Sequence, residues 1–180
     1  MQLVTQGEDV MKDKTVCFSG HRSLTDENVK EIEALLHDVI VALIECGYKY
    51  FGVGGALGFD TLAAKEILRL KGNYEHIKLI LILPCRDQTM FWQKNDVILY
   101  DKIMHRADKI VYMSNYYCSD CMHKRNRHMV ENSSVLVCFL SKKCGGTYYT
   151  VKYAESCGLK VINLKDLMAK NYINPQDFNL

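Results

Sequence analysis

The chain is poor in the features that mark several large protein classes. It has only two prolines, Pro84 and Pro175, and no low-complexity linker or internal repeat, so a single domain is the simplest organisation for its 180 residues. No apolar run approaches the roughly 18 residues a membrane span needs. The N-terminal stretch MQLVTQGEDVMKDK lacks an apolar signal core. A cytoplasmic protein without a membrane partner is therefore expected. Formal net charge is only +2, so there is no global field to draw in nucleic acid, and any anion site must be local. Three catalytic or nucleotide signatures are also missing: GxxxxGK[ST], GxSxG and a complete GxGxxG. Standard NTP hydrolysis, nucleophile-elbow chemistry and the usual dinucleotide redox roles are disfavoured.

Cysteine is plentiful, with eight residues, but several lie in apolar strand-like runs where a free thiol acts as a small hydrophobe. Without a signal peptide they read as reduced. Cys118-Ser119-Asp120-Cys121 with His123 nearby invites a metal reading, yet no second matching ligand pair is evident, with His105 and Cys85 isolated. No metal is expected.

Apolar periodicity gives alternating strands and helices. Strand-like runs fall at 15–19, 50–53, 77–83, 110–113, 134–140 and 160–163, followed after the last by a short tail. Helical stripes fall at about Thr25–Glu45, Phe59–Lys71, Thr89–His105, 121–132 and Thr147–Cys157. Thr25 is placed to cap the first helix. Strict alternation predicts an α/β fold, a Rossmann-like three-layer sandwich with a mostly parallel central sheet. The expected division is a flexible segment over 1–13, one domain over 14–170 and a tail over 171–180. In such sheets, ligands bind at the C-terminal edge near the switch in strand order.

Four segments fall on that edge or beside it. Ser19-Gly20-His21-Arg22 ends the first strand: glycine allows close backbone approach, and Arg22 can pair with a phosphate. Gly52-Val53-Gly54-Gly55-Ala56-Leu57-Gly58-Phe59-Asp60 ends the second, placing Gly54, Gly55 and Gly58 before a helix start that suits an anion. Asp60 would repel phosphate, so a helix cap or a ribose hydroxyl acceptor is the alternative role. In Met122-His123-Lys124-Arg125-Asn126-Arg127-His128-Met129, helical spacing puts Arg125 on a face with Met122 and Met129. An arginine held there needs an anionic partner, either a bound phosphate or an acidic residue. Cys144-Gly145-Gly146-Thr147 offers free amides and a hydroxyl at a helix start. Trp92, Tyr100, Tyr112, Tyr116 and Tyr117 could stack on a base, though aromatics at helical spacing usually pack.

Taken in order, these motifs resemble the SLOG superfamily, the SMF/DprA–LOG group of Rossmann-like domains, and within it the bacterial YpsA-like branch. The resemblance spans about residues 14–165, and Gln88, Trp92, Tyr100 and Ala107-Asp108 also fit it. It implies a site made of the glycine turns and Arg125 for a small nucleotide-like ligand, such as ADP-ribose or an NAD-like molecule, with no cofactor required. It also makes a homo-oligomer plausible. The LOG branch cleaves the N-glycosidic bond of nucleoside 5′-monophosphates. Arg125 matches that branch's arginine, the one catalytic candidate carried over. Its glutamate position falls on Thr150, and Asn126 stands where a lysine is usual. Threonine can neither activate water well nor stabilise an oxocarbenium-like centre, unless Asp60 or Glu131 substitutes. A sensor or regulatory binder is therefore expected ahead of a nucleotide N-glycosidase. A DNA-binding module, as among the DprA relatives, is disfavoured by the small net charge.

Overall fold

The structure is a computed structural model that describes residues 10–168. Most of the N-terminal segment and the whole 171–180 tail lie outside the described residues, while 10–12 form a helical turn that runs into the first strand. Strand β1 (Thr15–Gly20) is followed by α1 (Asp26–Glu45), β2 (Tyr50–Val53), α2 (Phe59–Leu70), β3 (Lys78–Leu83) and α3 (Lys94–Arg106). Then come β4 (Lys109–Tyr112), α4 (Cys121–Glu131), β5 (Val135–Phe139), α5 (Gly145–Ser156), β6 (Lys160–Asn163) and the short α6 (Leu164–Met168). The six strands form one parallel sheet in the order β4-β3-β2-β1-β5-β6.

That order follows from simple packing rules. Right-handed crossovers from β1 through β4 step the chain one way and stack α1, α2 and α3 on one face. The chain then returns across the sheet, so α4 and α5 cover the opposite face. Central strands buried on both sides must be apolar throughout, and β5 (VLVCF) is buried at every residue. Phe18, Phe51, Phe59 and Phe139 pack between the sheet and α2, each worth about 1.5–3 kcal/mol of burial. Gly20 is required there, because a Cβ at that position would overlap the Phe59 ring.

Several boundaries differ from the sequence expectation, most of them by a residue, and the helix starts differ most. Thr25 precedes α1, and its backbone carbonyl accepts from Asn28 and Val29, but its side chain makes no cap bond. Helix α3 starts at Lys94 rather than Thr89. Gln93 is extended, and residues 87–92 close local turns through Met90 N–H to Asp87 and Trp92 N–H to Thr89. Helix α5 starts two residues early, at Gly145, whose φ of +81° lets the chain enter the helix directly from the loop. The segment after β6, read as tail, begins with α6, which tucks Leu164 and Leu167 into the core.

Candidate functional site

Strand order reverses at β1, which is flanked by β2 on one side and β5 on the other. Their register sets Ser19 beside Cys138 and Gly20 beside Phe139. The loops leaving β1 and β5 therefore open a crevice at the C-terminal edge. Its volume is about 240 Å³. Ser19, Gly20, His21 and Arg22 line it from β1, Ala56 and Asp60 from the β2–α2 junction, Met122, Arg125 and Asn126 from α4, and Gly146 and Thr147 from α5.

Arg125 and Asp60 are at the heart of the site. Arg125 is 7% exposed and Asp60 5%. Arg125 Nη1 lies 3.7 Å from Asp60 Oδ2 and also donates to the Gly54 carbonyl. The anionic partner that the buried arginine needs is thus Asp60, which also accepts from the Ala56 N–H at 3.3 Å. Asp60 thus engages its Oδ2 with Arg125 and Ala56 while lining both the crevice and the cavity beside it. Burial pushes its carboxyl above the ordinary range despite the pull of Arg125. Burial likewise draws the Arg125 guanidinium down. Arg125 Nε is buried without a hydrogen-bond partner, which is costly for a donor on a charged group. Gly54 is glycine because a Cβ would overlap this guanidinium.

The glycine turns play different parts. Gly58, at φ +74°, packs so tightly on the backbone of His21 and Arg22 that a Cβ would overlap the Arg22 carbonyl. The first amide of α2, Phe59 N–H, donates to the His21 carbonyl. The first amide of α2 is thus taken up by the chain itself, and Gly54, Gly55 and Gly58 do not line the crevice. The N-terminus of α5 is different. Gly145 and Gly146 are exposed, and a Cβ on either would meet nothing within 4 Å. Gly146 and Thr147 face the crevice, while Gly145 does not line it. His21 steadies the loop before α5, its Nε2 accepting from the Ser141 N–H at 3.0 Å.

Thr150 and Asn126, the two positions that depart from the LOG pattern, touch each other. Asn126 Nδ2 donates to Thr150 Oγ1 at 2.8 Å, and Thr150, fully buried, donates to the Gly146 carbonyl at 2.8 Å. They tie α4 to α5 without any charge. Glu131 sits at the far end of α4, exposed and bonded to the Tyr153 hydroxyl. It does not line the crevice. Arg22 is exposed, Lys124 pairs with Asp120, and Arg127 lies over Tyr149 and Tyr153. Cys118 bonds Asp120, while Cys85 is buried and pushed up to about 12 by burial. Among the described residues no three metal-ligating side chains gather to hold an ion. Nor is any described helix long and apolar enough to cross a membrane.

Comparison with known proteins follows the same lines. The YspA SLOG family profile matches residues 17–167. The chain belongs to the YspA SLOG family. A UPF0398 protein of Halalkalibacterium halodurans is 28% identical over 138 residues, which cover 75% of this chain and 70% of the relative. Among solved structures, DNA processing protein A of Streptococcus pneumoniae superposes with a TM-score of 0.62 at 20% identity, covering 85% of this chain. The chain spans only half the length of that protein. DNA processing protein A of Helicobacter pylori, solved for its single-stranded DNA binding mode, gives a TM-score of 0.62 at 15% identity, over 97% of this chain and 81% of that one. At such identities the likeness is one of fold.

Proposed function

We propose that this YspA SLOG protein binds a nucleotide or nucleotide derivative, of the ADP-ribose or NAD-like class, in the switch-point crevice. It acts there as a cytoplasmic sensor or regulatory protein and requires no cofactor. One observation carries the reading: the N-terminus of α5 opens into a crevice that also holds a buried arginine with an unpartnered Nε. Free amides at a helix start and the positive end of its dipole suit a phosphate. Arg22, exposed at the rim, adds a second cation. Asp60 neutralises part of the Arg125 charge, which favours a partly shielded phosphate ester over a highly charged polyphosphate.

Binding is favoured over hydrolysis because Thr150 is committed to Asn126 and Gly146. Asp60, the carboxylate lining the crevice, is held by Arg125 and Ala56. The small net charge favours a small ligand over nucleic acid.

A thermal-shift panel of mononucleotides, NAD and ADP-ribose tests the proposal. A ligand present at a hundred times its Kd should stabilise the fold by about 2.7 kcal/mol, on the order of 5–10 °C. Stabilisation by none of them contradicts it. Single-stranded DNA, titrated over a range of salt, serves as the competing partner. Tight, steeply salt-dependent DNA binding with no nucleotide effect would point to nucleic acid instead.

A further inference from the structure

The switch-point crevice has a neighbour. Arg22 and Asp60 line it on one side and also line a second cavity, of about 420 Å³, between α1, α2 and α3. It opens to solvent directly beside the candidate phosphate site, as a ligand cleft would. Its walls are largely apolar, with Leu24, Val29, Leu62 and Leu99 alongside Trp92 and Tyr100. The two aromatic rings meet edge to face, with centroids 5.4 Å apart and planes at 77°. Gln88 donates to the Gly55 carbonyl at 3.1 Å and so ties the loop that carries Trp92 to the β2–α2 turn.

The two cavities differ in what they can accept. Small-molecule pockets usually fall between about 300 and 1,000 Å³. The second cavity lies within that range, and the crevice falls below it. The second cavity is also a poor home for phosphate: Asp96 contributes a carboxylate, and Lys65 is engaged by Glu33 at 3.7 Å. The crevice also holds a carboxylate, Asp60, but there it is paired with Arg125, and the open amides of α5 face the same space.

We infer that the two cavities hold opposite ends of one ligand, the phosphate against the N-terminus of α5 and a nucleobase against Trp92. This rests on the nucleotide reading above and adds an orientation and a requirement for a base. A ligand oriented this way passes beside Arg22, which belongs to both walls. Sugar phosphates and inorganic anions fill only the smaller compartment and bind more weakly than a nucleotide.

Trp92 is the only tryptophan in the chain, so its fluorescence reports on the second cavity directly. The full chain is titrated with the four common nucleoside monophosphates, ADP-ribose, NAD, ribose 5-phosphate and inorganic pyrophosphate, followed by calorimetry and by Trp92 emission. At least one nucleotide should bind and change the emission, whereas ribose 5-phosphate and pyrophosphate should leave it unaltered. Trp92→Ala should weaken that nucleotide about tenfold, within the range of one lost base–aromatic stack. Its affinity for ribose 5-phosphate should not change, which separates loss of a base contact from loss of fold, and Trp92→Phe should restore most of the nucleotide affinity. A nucleotide that binds and stabilises the fold, yet leaves Trp92 emission unchanged and binds Trp92→Ala equally well, overturns this inference and leaves the nucleotide reading standing. If every probe fails to bind, both fall.

Discussion

Two glycines of the site respond in opposite ways to the same added methyl group. At Gly54 a Cβ would overlap the Arg125 guanidinium and press on the Asp60 carboxylate. Gly54→Ala should therefore cost on the order of 3 kcal/mol in denaturant unfolding, because overpacking is combined with disturbance of a buried ion pair. At Gly146 a Cβ meets nothing within 4 Å, and Gly146→Ala should be neutral or stabilising by up to about 1 kcal/mol, as usual for glycine in a helix. Equal losses at the two positions would contradict the described packing. Spacing alone was enough to turn Arg125 inward, since Met122 and Met129 share its helical face. Its partner was hidden: Asp60 lies 65 positions earlier in the chain, and only the neighbouring placement of β2 and β1 brings α2 within reach of α4. The unpartnered Nε could not have been read from sequence at all, because a missing partner belongs to the assembled site.

Among the elements, the loop before α5 is the one that pH should loosen. Burial, aided by the nearby positive charge of Lys142, holds His21 below the ordinary histidine value of 6.5, and its Nε2 must stay unprotonated to accept from Ser141. The folded state therefore disfavours the added proton. Above about pH 6.5 nothing is lost. As pH falls below that value the unfolded chain takes up the proton first, and stability declines until the folded chain is protonated too. The melting temperature of the wild type should drop over this interval, and His21→Gln, whose amide oxygen can accept the same bond, should flatten the drop. An unchanged profile would show that His21 does not steady the loop. Periodicity located the cores of α1 to α5 but missed the short α6, and it overran at one start. Trp92 fits the apolar stripe of α3 and was drawn into that helix, whereas the extended backbone at Gln93 places it on the preceding turns. From there it still reaches the cavity wall beside Leu99 and Ile103.

At the scale of the whole molecule, the regular alternation of strands and helices was sufficient to give the Rossmann-like architecture, since a parallel sheet needs a crossover between each pair of strands. Alternation does not state the order of the strands. The return of the chain from β4 to β5 decides that β1 is flanked by β2 and β5, and with it which glycine turns share an opening. The turns after β1 and β5 face the crevice, while the one after β2 gives it only Ala56 and Asp60 and turns Gly55 and Gly58 toward the second cavity. The same arrangement bears on chemistry. With Thr150 neutral and buried, prolonged incubation with nucleoside monophosphates should return them intact, and release of free base that disappears in Asp60→Asn would instead establish a hydrolase. The central claim is that the open N-terminus of α5 receives the ligand's phosphate, and Gly146→Asp tests it most directly. A carboxylate there suits the helix dipole and has room, so the fold should persist with an unchanged or slightly higher melting temperature while it repels an anion. Calorimetric titration of a stabilising nucleotide should show at least a tenfold loss of affinity in Gly146→Asp relative to wild type. Equal affinity in the two proteins would contradict the account.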